Sequence, residues 1–165
     1  MNLNKKPLFN KQKYISIILK IINDLKQNNI DYFIYAGTSL FLRNIIDDTD
    51  DIDIVVSFKD LRNVKKIYSK KIIIEKKYSL IINIDDQNIE FFGYPKRIDP
   101  ISFKVLKNKN KYIDYFLINK INLKLINLEK ALELYKFVYN RDKKEKHKKR
   151  IKLIENILKN KGNYL

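Results

Sequence analysis

The chain of 165 residues carries 35 Lys and Arg against 19 Asp and Glu, a formal net charge of +16, with 45% apolar content and no cysteine. Its length suits one folded domain, its apolar content excludes an intrinsically disordered chain, and the missing thiols exclude a disulfide framework, a thiolate metal site and a cysteine nucleophile. No apolar run approaches membrane-spanning length and residues 1–10 lack the apolar core of a signal peptide, so a cytoplasmic protein without membrane association is expected.

From Tyr14 to Asn28 the apolar residues Ile15, Ile18, Ile22 and Leu25 keep the three-and-four spacing of an amphipathic helix whose stripe covers a sheet. Tyr32 to Ala36 reads as a strand, Gly37-Thr38-Ser39 as its turn, Leu40 to Ile46 as a short helix, and the β-branched run Asp51 to Val56 as a buried strand. Asp60 to Ser69 reads as a polar surface helix. Lys71 to Lys76, Tyr78 to Ile84 and Asn88 to Tyr94 read as strands, the last two joined by a turn at Asp85-Asp86-Gln87. Pro95 and Pro100 break the pattern. Beyond them Ser102 to Lys107 and Tyr112 to Leu125 alternate like strands, with turn residues Asn108 to Asn110 between. Leu128, Ala131, Leu132, Tyr135 and Val138 then share one helical face, as do Ile151, Ile154, Ile157 and Leu158. The expectation is an α/β (α+β) unit with a mixed central sheet flanked by helices over residues 1–126, and a C-terminal helical segment, 127–165, packed on it.

Asp47, Asp48, Asp50, Asp51 and Asp53 crowd into seven residues of this basic chain. On a strand successive side chains alternate faces, so Asp51 and Asp53 point the same way, about 6.6 Å apart by Cα. Two carboxylates that close on a sheet face repel each other and call for a cation or a compensating partner. Magnesium held by carboxylates plus substrate phosphates meets that need. Upstream, Gly37 lets backbone approach a phosphate, the Ser39 hydroxyl donates to its oxygens, and a helix start offers free N–H groups. A calcium loop of the EF-hand type fails, because one starting at Asp47 or Asp48 needs Gly at its sixth position and Glu at its twelfth, where the chain has Ile52 or Asp53, then Phe58 or Lys59.

The tract Ala36-Gly37-Thr38-Ser39-Leu40 through Asp51-Ile52-Asp53-Ile54-Val55-Val56 resembles the signature of the nucleotidyltransferase superfamily, the polymerase-β-like fold: Gly-Ser or Gly-Gly-Ser, then Asp-x-Asp on a strand about ten residues later. Glu90, which interrupts an apolar strand, stands for the family's third carboxylate; Asp85 and Asp86 are placed less well, in a turn. The closer likeness is to small standalone members, including abortive-infection (AbiEii-like) toxins, minimal nucleotidyltransferases and lincosamide-type nucleotidyltransferases, whose C-terminal helical segment carries a basic run, here Arg141 to Arg150.

The resemblance implies transfer of a nucleoside monophosphate from a nucleoside triphosphate to an acceptor hydroxyl, with release of pyrophosphate. It implies a two-magnesium site on Asp51, Asp53 and Glu90, Glu90 either completing the second metal site or taking the acceptor's proton. Gly37, Thr38 and Ser39 would bind nucleotide, and Arg141, Lys143 and Lys144 would reach back to the triphosphate or to acceptor phosphates. tRNA or another RNA is the favoured acceptor, since a strongly positive field attracts polyanions; a protein side chain and a small molecule such as an antibiotic stay open. A role in a toxin–antitoxin pair, with a cognate protein partner, follows from the resemblance alone. The alternative is a catalytically degenerate or purely nucleic-acid-binding module serving as antitoxin or scaffold, and the position of Glu90 discriminates. His147 reads as a solvated residue in a lysine field, and Tyr35 and Tyr94 as rings that stack on a base or pack in the core.

Overall fold

The computed structural model describes residues 10–162, so the signal-peptide reading falls, Asn10 apart, outside the described residues. The Asn10 side chain accepts from the Lys13 N–H and caps α1 (Lys11–Gln27). Seven strands, β1 (Tyr32–Ile34), β2 (Ile52–Val56), β3 (Ile72–Glu75), β4 (Ser79–Ile84), β5 (Gln87–Phe92), β6 (Ile113–Ile118) and β7 (Ile121–Ile126), form one mixed sheet in the order β3-β4-β5-β2-β1-β7-β6. The remaining helices are α2 (Ala36–Leu42), α3 (Leu61–Ile67), α4 (Pro100–Lys107), α5 (Lys109–Tyr112), α6 (Leu128–Asp142) and α7 (Glu145–Gly162).

The two-residue period of β2 and β5 sorts their side chains between two cores. Ile52, Ile54, Ile89 and Phe91 pack with Ile18, Ile22 and Leu25 of α1. Val55 packs on the opposite face with Phe33, Leu134, Tyr135 and Ile154. Each such side chain contributes about 1.5–3 kcal/mol by leaving water. Asp51, Asp53 and Glu90 occupy the second set of positions, so the period that builds the α1 core turns the acids toward α6 and α7.

Several expectations are corrected. Ser102 to Lys107 is helical, because the Asp99 carboxylate accepts from the Ile101 and Ser102 N–H groups and Pro100 sits at the first helical position, a start signal that overrides the alternation. Asn108 to Asn110 runs into the helical turn α5. Tyr112 to Leu125 is a hairpin, β6 and β7, turning at Asn119 and Lys120 with φ of 50° and 65°, the paired left-handed residues of a tight hairpin turn. Asp85 and Asp86 turn β4 into β5 the same way, with φ of 51° and 65°. The strand read to Ala36 stops at Ile34, and Gly37-Thr38-Ser39 lies inside α2, which ends at Leu42. Helix α3 covers only the middle of Asp60 to Ser69, and it buries Leu61 and Val64.

Asn127 caps α6 by accepting from the Lys130 N–H. Lys143, with φ 53°, ends that helix in the left-handed region. Helix α7 then folds back along α6, where Lys136 and Glu155 pair at 2.8 Å, and it spans the second face with Ile154 buried.

Candidate active site

Strands β2 and β5 run parallel with Asp53 opposite Glu90, about 4.8 Å apart across the ladder. Asp51 lies two residues back on the same face. All three carboxylates line one cavity of about 500 Å³, walled on its other side by α6 and the first turns of α7. Burial, then Asp51 and Glu90, push the Asp53 carboxyl up to about 8, although Arg150 and Lys146 pull it down. Burial and Asp50 raise Asp51 against Lys146. Burial raises Glu90 too, opposed by a hydrogen bond from Ser79 and by Lys76. The acidic wall is short of positive charge even with its basic neighbours in place.

The turn from β1 into α2 holds that wall rather than facing the cavity with its hydroxyls. The Tyr35 N–H donates to the Asp53 carbonyl at 3.1 Å. Ala36, not Gly37, takes the left-handed φ of 48°. Thr38 is fully buried; its hydroxyl donates to the Asp51 carbonyl at 3.2 Å and accepts from the Asp53 N–H at 2.8 Å. The Tyr14 hydroxyl joins the cluster, 3.2 Å from Thr38 Oγ1 and donating to the same Asp51 carbonyl at 2.8 Å. Ser39 is also fully buried and donates to the Ala36 carbonyl within its own helix at 3.0 Å. The structure therefore places neither hydroxyl where a phosphate would meet it. Gly37 is needed for space: a Cβ there would come 2.6 Å from Thr49 Oγ1 and 3.1 Å from Arg150 Nη2.

Of the expected basic residues, Arg141 and Lys144 line the cavity. Lys143 does not, because as the left-handed end of α6 it directs its ammonium over the Tyr139 ring at 5.3 Å. Lys146 lines the cavity too, as does Arg150, which the sequence reading did not single out. Their four-residue spacing on one helical face, beside the apolar stripe starting at Ile151, was the available signal. Arg150 Nη1 donates to the Tyr135 hydroxyl at 3.2 Å, which fixes the guanidinium over Gly37.

His147 is corrected: its side chain is 12% exposed, Nε2 lies 3.1 Å from Asp142 Oδ2, and it lines the same cavity. Burial lowers its pKa, helped by Lys146 and Arg150 and opposed by Asp142. Tyr35 and Tyr94 line the cavity as well, each with its ring against Phe92.

Among the described residues no group of three His, Asp or Glu side chains is arranged to enclose a metal ion unaided. The donors that are present, hard carboxylate oxygens short of positive charge, fit magnesium, which takes one or two protein carboxylates and fills its shell with water and substrate phosphate oxygens.

No family model matches the sequence. Solved structures do match the fold. A candidate nucleotidyltransferase from Thermotoga maritima superposes with a TM-score of 0.64 at 18% identity, over 87% of this chain and 96% of that one. The antibiotic-resistance factor ANT(2'')-Ia gives 0.66 at 14% identity over 90% and 86%. The lincosamide antibiotic adenylyltransferase LnuA, lincomycin-bound, gives 0.57 at 10% identity over 85% and 95%. The chain has the nucleotidyltransferase fold.

Proposed function

We propose that the protein is a magnesium-dependent nucleotidyltransferase that moves a nucleoside monophosphate from a triphosphate to an acceptor hydroxyl. The observation that carries the reading is the convergence of Asp51, Asp53 and Glu90 on one cavity whose opposite wall is basic. Asp51 and Asp53 would hold the metal, with Glu90 beside them. Magnesium, when bound, neutralises charge on the triphosphate and on the attacking oxygen. Arg141, Lys144, Lys146 and Arg150 bind and orient the triphosphate from the α6–α7 side. The acceptor oxygen bonds to the α-phosphorus as the bond from that phosphorus to the bridging oxygen breaks and pyrophosphate leaves; the hydroxyl proton passes to a Glu90 oxygen. Thr38 acts at one remove by fixing the backbone on which both aspartates stand.

The fold neighbours support nucleotidyl transfer, and ANT(2'')-Ia has been seen with adenylyl-2''-tobramycin. Glu90 on the same cavity favours a catalytic over a degenerate site. A toxin–antitoxin role rests on the sequence resemblance alone. The test is calorimetric titration of wild type and Asp53→Asn with a non-hydrolysable triphosphate, with and without magnesium. Magnesium-dependent binding is expected in wild type and lost in the variant; equal binding by both removes the reading.

A further inference from the structure

Five aromatic rings run without a break from the carboxylate cavity to the surface. Between ring centroids, Tyr35 meets Phe92 at 5.5 Å, Phe92 meets Tyr94 at 5.7 Å, Tyr94 meets Tyr78 at 6.1 Å and Tyr78 meets Phe58 at 5.7 Å. The first three line the carboxylate cavity. Phe58, at the far end, lines a second cavity of about 510 Å³ that also carries Arg62, Lys65, Lys76 and Lys77.

Core packing accounts for the inner rings but not for the outer ones. Phe58 is 43% exposed, so part of its ring is open to a partner, and covering it would remove apolar surface from water. The backbone holds it there. Gly93, between Phe92 and Tyr94, donates its N–H to the Tyr78 carbonyl at 2.9 Å, and a Cβ on it would come 3.2 Å from Phe58 Cα. Cations accompany the outer rings: Lys77 Nζ stands 5.2 Å from the Tyr78 ring centroid, and Arg97 Nη2 donates to the Tyr78 hydroxyl at 3.1 Å. Lys65 is held by Glu75 at 2.7 Å, the one acid on the second cavity.

Rings interleaved with cations are what a single-stranded nucleic acid requires, since every base has a face to stack and every linkage a phosphate to neutralise. A small acceptor would fill the carboxylate cavity and leave Phe58 and the second cavity unused, and a duplex keeps its bases stacked on each other. We infer that the acceptor is the hydroxyl-bearing end of a single-stranded polynucleotide, its last nucleotide in the carboxylate cavity and its preceding bases along Tyr94, Tyr78 and Phe58. The inference rests on the transferase reading for its chemistry, while the strand path can be measured without turnover. The terminal hydroxyl oxygen gains the bond to the α-phosphorus, its proton goes to Glu90, and pyrophosphate departs.

The experiment is fluorescence anisotropy with short labelled single-stranded RNA and DNA and with duplex of the same sequence, at fixed salt. Wild type should bind single strands more tightly than duplex. Phe58→Ala with Tyr78→Ala should weaken single-strand binding at least tenfold and leave magnesium-dependent triphosphate binding unchanged. If Tyr78→Ala disturbs folding, exposed Phe58→Ala alone should weaken binding, with Phe58→Tyr restoring it, and Lys77→Ala with Arg97→Ala should weaken it through charge. Unchanged affinity in these variants, or duplex bound as tightly as single strands, overturns the inference. The RNA and DNA arms identify which strand is preferred within the class. Absence of triphosphate binding in every protein, by contrast, counts against the transferase reading and leaves the strand result legible.

Discussion

Arg150 occupies the space that a side chain on Gly37 would need, with Nη2 and Nη1 3.1 Å and 3.3 Å from where its Cβ would stand and Thr49 Oγ1 at 2.6 Å. The glycine is thus set by close approach of Thr49 first and of Arg150, from α7, second. Gly37→Ala should cost about 1–3 kcal/mol, the usual range for overpacking a tight site. Thr49→Ala in the same chain removes the nearest atom and should recover part of that loss. Denaturant midpoints of the two variants check this; a Gly37→Ala midpoint equal to wild type would show that the approach imposes no constraint.

Thr38 and Ser39 sit side by side in the signature yet have different work. Thr38→Val strands the Asp53 N–H and breaks a buried hydroxyl cluster, so it should lose about 1–3 kcal/mol and weaken triphosphate binding through displaced aspartates. Ser39→Ala removes a bond within one helix turn, so triphosphate binding should stay within twofold or so of wild type. Titration of both variants decides the matter; a large loss for Ser39→Ala would put its hydroxyl back on the phosphates.

Much of this was legible in the sequence for physical reasons. The two-residue period that buried Ile52 and Ile54 necessarily set Asp51 and Asp53 on the other face, and an acid inside the apolar run of β5 marked Glu90. The glycine signature located α2 but misled about its parts, since positive φ falls on Ala36 and residue types alone do not show which of two neighbours bends the chain. Alternation failed at Ser102 to Lys107 because the cap at Asp99 and Pro100 outweighs a short periodic run. Arg150 and His147 were hidden in a charge block: which members of such a block face inward depends on how α7 docks against α6. Phe58 lacked any local signal, because its ring neighbour, Tyr78, comes from the β3–β4 corner twenty residues on.

Asp53 should leave a signature in stability. Its folded pKa, about 8, is raised above the ordinary value of 3.8, so the native state favours the protonated form. That contribution is fully present below the unfolded pKa and is lost as pH rises through the folded one. Metal-free wild type should therefore lose stability relative to Asp53→Asn between about pH 4 and about pH 8, by at most about 1.4 kcal/mol per pH unit for one proton. Glu90 and Asp51 are present in both proteins, so the difference reads Asp53 together with its coupling to these two neighbours. Denaturation at several pH values reads it, and magnesium should restore the wild type more than the variant. Parallel curves would contradict the buried, crowded environment assigned to Asp53.

Transfer itself gives the most direct test. The measurement is incubation of the protein with each α-labelled nucleoside triphosphate, magnesium and total cellular RNA or lysate, followed by separation of polymer, protein and small-molecule fractions, with Asp53→Asn alongside. The account predicts that wild type transfers label from at least one triphosphate into the single-stranded RNA fraction, that removal of magnesium abolishes the transfer, and that Asp53→Asn, though folded, transfers none. Equal label uptake with wild type and variant, or no magnesium-dependent uptake into any fraction, would contradict it.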